Sequence, residues 1–481
     1  MAAKPRERAL GLTTPLGTDV LFLTGFTGRE AISSPFHFDL DIVGPPDVQF
    51  ADVLGANMTI TIGGGRTESR TFNGFVSRFS AGSRGLYRAE LVPQLWLLTR
   101  TTRSRTFQQM SVPDVLRKVL TGLGVEFQLT GQYPARDYCV QYRESDFDFA
   151  SRLMEEEGIF YFFRHGDDGH TMVVADSPAS HPSLGTVPFD ATGKTPGAVL
   201  DWEKTQELRS GKATLRDHHF ELPAATLEFQ QGIQPTALVG EVEHRLALPA
   251  NQGLEIYDYP GGYAKRFDGI GPGGGDQPAE LTKIFPAGER AAALAAQLEA
   301  AASIEINGSS LRRNLVTGSS MDLERSEDRF NGRYLITGVT HRAHVVGDPS
   351  TATPKDLDYA NTFTCIPASI PYRPPRVTPK ARVEGPQTAV VVGPAGEQVF
   401  TDKYARVKVQ FFWDREGKKD EKSSCWIRVA APHAGSSPGG FILPEVGDEV
   451  VVAFLEGDPD QPIIVGSVWN AEKPPPPRPN Q

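Results

Sequence analysis

Alternation of apolar and polar positions with a period of two dominates the C-terminal part of the chain. Over residues 405–412, Arg406, Lys408 and Gln410 alternate with Val407, Val409 and Phe411, which predicts a strand with one solvated and one buried face. Two later runs, EVVVAFL at 449–455 and PIIVGSV at 462–468, are more apolar. Between them EGDPDQ offers Gly457, Asp458, Pro459 and Asp460 as turn chemistry, so the pattern predicts paired strands joined by a reversal. Residues 426–430 and 440–443 bring the count to about five short strands. At this length, broken by Gly and Pro, such a set fits a closed barrel better than a flat sheet with two exposed edges.

The same patterning opens the chain. Short alternating runs at 20–23, 36–42 and 58–62, broken at 63–65 and 82–85, predict a barrel or sandwich over residues 10–98. A helix follows, capped by Ser111, with Pro113 in its first turn and a stripe of Val115, Leu116, Val119 and Leu120 that Gly122 and Gly124 end. In VQYRESDFDFASRLMEEEGIFYFF (140–163), Ser145 and Asp148 start a second helix carrying Phe149, Ala150, Leu153 and Met154 on one face. Gly158 stops it, and 159–163 reads as a buried strand. Beyond a loop-rich middle, the alanine-rich 287–303, preceded by Pro286, predicts a helix crossing a barrel end. Strand patterns return at 331–339 and 362–366. The prolines at 367, 371, 374, 375 and 379 then predict a stiff extended connector.

Length and charge narrow the class. A chain of 481 residues exceeds what one core usually serves, so two to four domains are expected. With 39% hydrophobic and 22% charged residues it is ordinary globular material, and no apolar run reaches the ~20 residues a membrane helix needs. Basic residues near the N-terminus lead into no apolar segment, so no secretory signal is read. A net charge of −10 argues against a phosphate-seeking surface. Cys139, Cys365 and Cys425 lack metal or redox spacing and read as reduced, packed thiols of a cytoplasmic protein.

Two long stretches, KVQFFWDREGKKDEKSSCWIRVA and PEVGDEVVVAFLEGDPDQPIIVGSVWN, resemble the OB domain of the VgrG family, the valine-glycine-repeat tip proteins of type VI secretion. The helix-to-strand phrase at 140–163 and YDYPGGY at 257–263 resemble the hub region of the same family, a relative of the hub and spike proteins of contractile-tailed phages. The resemblance implies a mainly β chain with a few helices. Residues 1–366 would be a phage-hub-like region of two β-barrel subdomains with inserted helices, 367–381 the connector, 382–470 an OB barrel and 471–481 a proline-rich tail. It further implies a homotrimer, pseudo-sixfold because each subunit brings two barrels, seated on a hexameric tail-tube protein beside baseplate components. Such a protein assembles in the cytoplasm and leaves through the machine without a signal peptide. In the family a repeat of short strands follows the OB domain and winds into a needle, through which an effector or tip-sharpening protein is carried. After Asn470 only AEKPPPPRPNQ is present, which reads as an unpaired polyproline segment and a needle-less form.

Candidate chemistry points the same way: no catalytic, cofactor or metal residue is assigned. Gly269, Gly271 and Gly274 match G-x-G-x-x-G, but Pro272 interrupts them, no buried strand precedes and no helix opens from the last glycine, so a loop is expected. His341 and His344 would point to opposite faces of a strand, and with His218 and His219 beside Asp217 they read as surface or turn residues. His433 beside Ser436 and Ser437 lacks a nucleophile elbow. Glu155, Glu156 and Glu157, at a helix end, read as a solvated face. The lysozyme domain of some phage relatives has no room between 367 and 400. Phe411, Phe412, Trp413 and Trp426 could stack bases, yet Asp414, Glu416, Asp420 and Glu421 dilute Arg415, Lys418, Lys419 and Lys422, so no nucleic acid partner is expected. The alternatives are a carrier that has lost an enzymatic effector domain, and an OB module that binds carbohydrate or nucleic acid.

Overall fold

The computed structural model describes residues 8–476 apart from 18, 64–68, 325–327 and 436–441. Its main element is a sheet of 12 strands. One side runs Leu10–Thr13, Asn57–Ile62, Arg70–Ala81, Leu86–Val92, Ser34–Val43, Phe22–Ala31, and the other Gly332–Val345, Leu357–Pro367, Ile304–Ser310, Val199–Gln206; off this path Ser320–Glu324 pairs with Gly332–Val345 and carries Ser183–Pro188. The seam is the antiparallel pair Phe22–Ala31 and Gly332–Val345, from Gly25 opposite His344 to Ala31 opposite Gly338. Period two sets the faces there: Phe26, Gly28 and Glu30 are buried while Thr27 and Arg29 are exposed. A Cβ on Gly28 would lie 2.0 Å from the Phe38 ring, so this inward position takes glycine.

Two hydrophobic clusters form on the sheet. Phe26, Phe38, Phe72 and Leu91 join Leu116, Phe149 and Leu153 from the two predicted helices in the first. Val199, Ile306, Ile336, Phe363 and Cys365 lie in the second. The strand Gly332–Val345 feeds both, giving Ala343 and Val345 to one and Ile336 and Val339 to the other. The strands expected at 331–339 and 362–366 are longer than their apolar runs because backbone pairing with neighbours extends them.

The helices follow their caps. Ser111 Oγ accepts from the Asp114 N–H for the helix Val112–Val119, and Ser145 Oγ from the Asp148 N–H for Asp146–Glu157. Gly158, at φ 68°, closes the latter in the left-handed region. Ile284–Ser303 starts earlier than expected, with Pro286 in its first turn, where its missing N–H costs nothing. It packs against the strands Lys212–Asp217 and Leu227–Gly232 of a small separate sheet instead of crossing a barrel end.

The C-terminal sheet runs Lys408–Phe411, Gln387–Val392, Glu449–Phe454, Pro462–Val468, Arg428–Val429. A bridge between Val407 and Ile427 joins its two ends and closes the barrel around Val391, Val409, Phe411, Val450 and Ile464. Gln387–Val392, paired on both sides, was not among the expected strands. Of the strand expected at 440–443, Gly440 and Phe441 lie outside the described residues, and Ile442 and Leu443 belong to no strand. The turn between Phe454 and Pro462 is where the sequence placed it.

The helix Ile284–Ser303 sets up a test. Propensity favours alanine over glycine by about 1 kcal/mol, but a Cβ at Gly288 would lie 2.3 Å from the Phe229 ring and 2.9 Å from that of Tyr263. Contact wins because the two rings pack edge to face, 5.5 Å apart. Gly288→Ala is expected to destabilise by about 1–3 kcal/mol in urea denaturation, opposite in sign to propensity.

Candidate functional site

The barrel is docked on the sheet region by buried charge. Arg406, Lys408 and Gln410, expected on a solvated face, are 2%, 1% and 6% exposed. The alternation is as predicted, but protein covers its polar side. Arg406 donates from Nη1 and Nη2 to the two Asp268 oxygens at 2.6 and 2.8 Å and from Nε to Asp402 at 2.6 Å. Lys408 Nζ donates to the Glu421 carbonyl, and Gln410 is held by the Asp414 carbonyl and the Lys419 N–H. Around this pair the Trp426 indole donates to the Gly271 carbonyl, the Val140 N–H to Asp460, the Gln108 amide to the Lys422 carbonyl, and the Gln387 amide to the Tyr142 hydroxyl. The Gly269–Gly271–Gly274 motif is thus a loop, as read, and it forms part of the dock.

A second charged cluster ties down the connector. Glu155, Glu156 and Glu157 are not a solvated face. Glu155 accepts from the N–H groups of Val377 and Thr378 and from the Thr378 hydroxyl. Glu157 takes Arg136 at 2.6 Å and Arg266 at 2.7 Å, and Glu156 takes Arg136 at 2.8 Å. Burial alone would raise the Glu156 carboxyl, but Arg136, Arg152 and Lys380 hold it well below the ordinary carboxylate range. Lys380 continues the chain of charges, at 2.7 Å from both Asp458 and Asp460 in the barrel's turn. Glu155 therefore serves the connector, while Glu156 and Glu157 are taken up by arginines of the hub.

A third polar centre lies inside the sheet region. His341, expected at the surface, is fully buried, while His344 on the opposite face is exposed. Glu30 accepts from His165 Nε2 at 3.1 Å, His341 Nε2 at 3.0 Å and Arg70. Burial would raise its carboxyl; Arg70 and the two imidazoles bring it well below its ordinary value. The Tyr359 hydroxyl meets His341 Nδ1. Next to it the Gln94 N–H donates to His170 Nε2, whose Nδ1 faces Asn73 Oδ1, an arrangement only the neutral ring satisfies. Burial accordingly pushes His170 down to about 4.

The other candidates fall apart in space or into packing. Asp217 accepts from the N–H groups of Tyr263 and Ala264, and His219 Nε2 meets the Phe267 carbonyl, so neither has the geometry of a ligand set. His433 is exposed, and Ser436 and Ser437 lie outside the described residues. Burial pushes the Cys139 thiol up to about 12 and leaves it unreactive. Phe411 is core, Trp413 stacks on it, Trp426 is buried and Phe412 is 64% exposed, which leaves no aromatic platform among these four. Among the described residues one group, His37, Asp39 and Glu90, has the make-up of a metal site; His37 and Asp39 are exposed, and both ring nitrogens already face the carboxylates. Glu30, Arg406 and Asp268 were missed as buried charges. Glu30 follows Phe26 and Gly28 in phase, and that phase was the available signal.

Comparison with known proteins bears directly on this architecture. Residues 29–347 match the family model for the phage tail baseplate hub (GPD), and residues 389–469 that for the type VI secretion system/phage-baseplate injector OB domain. The spike protein VgrG1a of Pseudomonas aeruginosa is 38% identical over 97% of this chain and 70% of its own length. The chain belongs to the VgrG family of type VI secretion spike proteins. VgrG1b of the same organism is 37% identical over 98% of this VgrG chain, which spans 62% of the length of that relative. Among solved structures, an E. coli type VI secretion component, described as similar to the T4 tail proteins gp27 and gp5, superposes with a TM-score of 0.62 at 21% identity, covering 95% of this chain and 99% of that one. A chain of the Francisella PdpA–VgrG complex gives 0.57 at 9% identity, covering 95% and 69%. The VgrG fold is thus a hub followed by an OB barrel, and the buried pairs described above are what join the two here.

Two outcomes follow for this VgrG chain. Asp268→Ala leaves the Arg406 guanidinium buried beside Asp402 alone, and is expected to cost about 3–5 kcal/mol and to split calorimetric unfolding into separate barrel and hub transitions. The second concerns acid. Because His170 is depressed from its ordinary value near 6.5 to about 4, the unfolded chain binds the extra proton first, so its contribution to stability is full above pH 6.5 and is lost as pH falls toward 4. Asp137, pushed up to about 7 by burial, acts in the opposite direction over this interval, so the comparison with His170→Gln is the decisive one. Between pH 6.5 and 4, wild type should lose up to about 3 kcal/mol more than the variant in urea titrations.

Proposed function

We propose that this chain forms the hub and OB base of a trimeric spike tip, which caps a hexameric tail tube and is driven into a target cell together with its cargo. Residues 1–366 are read as the hub, 367–381 as the connector, 382–470 as the OB base and 471–481 as a tail. The observation that carries the proposal is the buried Arg406–Asp268 pair, which fixes the barrel to the hub as a tip that must push without folding back would require. The family matches at 29–347 and 389–469 support the order of the parts.

Self-association finds support in exposed apolar surface. Val465, Val468 and Trp469 are exposed at the end of the barrel strand Pro462–Val468, whose outer edge pairs only over Ile463 and Ile464. Leu238, Leu254, Tyr257 and Tyr259 are exposed on the hub. Exposed apolar side chains are what a stable symmetric interface covers. No helix among the described residues is long and apolar enough to cross a membrane, which agrees with delivery by the machine. A role without turnover is supported by the structural use found for Glu155, Glu157, Asp217, His219 and His341.

Multi-angle light scattering on the purified chain at micromolar concentration should give a trimer, and a monomer at every concentration would overturn the proposal. Peptidoglycan-digestion and nuclease assays should show no turnover. Turnover abolished by one point substitution would replace the structural reading with an enzymatic one.

A further inference from the structure

A cleft of about 870 Å³ opens between the helix Ile284–Ser303, residues 130–134 and the connector. That is the size at which a protein encloses a small ligand or a short stretch of peptide. Five cationic side chains line it, Arg136, Arg266, Lys283, Arg290 and Arg373, against the carboxylates of Glu156, Glu157 and Asp176. These carboxylates are already engaged. Glu156 and Glu157 hold Arg136, Arg266 and Arg290, and Asp176 accepts from the N–H groups of Thr130 and Gly131 and from the Tyr133 hydroxyl.

Arg373 makes no ion pair among the described residues. Its Nε donates to Gln297 Oε1 at 2.8 Å and its Nη1 to the carbonyls of Gly158 and Asp176 at 3.3 and 2.9 Å. Its Nη2 has no partner among the described residues, and none of their carboxylates lies within ion-pair distance. Burial holds the guanidinium below its ordinary value; Tyr133 and the more distant Asp176 carboxylate offset this only in part, and Arg290 adds to it. A half-buried cation that opens on a cleft and meets only neutral oxygens is a site for an anion. Pro134, Phe267 and Leu294 add apolar wall beside it.

We propose that this cleft receives a carboxylate of a partner protein, presented on an acidic segment whose apolar neighbours pack on Pro134, Phe267 and Leu294. Lys283 is neutralised by Glu280 outside the lining, at 2.7 Å, so one surplus guanidinium matches one carboxylate. A phosphate chain would set several charges against one surplus cation and against Glu156, Glu157 and Asp176, whereas a peptide segment can offer a single carboxylate there and lay apolar residues on the wall. The inference does not depend on the assembly proposed above, because the binding is to the chain itself.

Fluorescence anisotropy of the full chain with a fluorescein-labelled Glu-Leu repeat peptide tests it. Binding should weaken as salt rises, fall about tenfold or more in Arg373→Gln and be largely kept in Arg373→Lys, while a Gln-Leu repeat should fail to bind. Because Arg373 also pins the connector, Pro134→Asp serves as a second variant: it places a negative charge at an exposed position on the rim and should weaken binding while the denaturation midpoint falls no further than the loss of one loop proline accounts for. No binding to wild type, equal binding of the two peptides, or wild-type affinity in both Arg373→Gln and Pro134→Asp would overturn the proposal. So would displacement of the peptide by inorganic phosphate at an ionic strength where chloride leaves it bound, which would assign the cleft to a small oxyanion.

Discussion

A charge taken out of water must meet its opposite, and this requirement organises the molecule. Burying a carboxylate or guanidinium costs several kcal/mol unless a well-placed partner and further hydrogen bonds offset it. Here the partners come from distant parts of the chain: Glu30 meets Arg70, His165 and His341, Glu157 meets Arg136 and Arg266, and Asp268 meets Arg406. Each centre can be satisfied in only one arrangement of its segments. The hydrophobic clusters supply most of the drive to collapse, while the charge pairs decide which collapsed arrangement is kept.

The sequence was informative where local chemistry decides the outcome. Ser111, Ser145 and Gly158 act within a turn of their own positions, and they end or start helices where their residue types predict. Phe454 and Pro462 likewise flank the predicted turn. The two long VgrG-like stretches carried the family, and with it the order of hub and barrel. The missed strand Gln387–Val392 lies inside the segment assigned to the barrel, but its short apolar run follows the prolines and precedes the stretch from 405 whose alternation carried the strand reading.

The candidate site was less legible because a period-two pattern says which residues share a face and not what covers that face. Arg406, Lys408 and Gln410 share one as expected, yet a loop and the hub lie over it. Glu155 and Glu157 are polar residues at a helix end, where solvent is the ordinary neighbour; protein lies there instead only because distant segments return, Val377 and Thr378 to Glu155 and Arg266 and Arg290 to Glu157. His341 follows the same rule, since its partners Glu30 and Tyr359 belong to other strands. Contacts of this range leave no periodic trace.

The connector bears on how force passes through the molecule. A lone extended peptide between two bodies acts as a hinge, and thrust along it buckles the pair. Here Glu155 grips the backbone at Val377 and Thr378, Lys380 reaches into the turn at Asp458 and Asp460, and Val140 holds the same turn from the hub side. An axial push on the barrel is therefore shared among short ties acting in parallel, and the covalent link between the two bodies carries only a part of it.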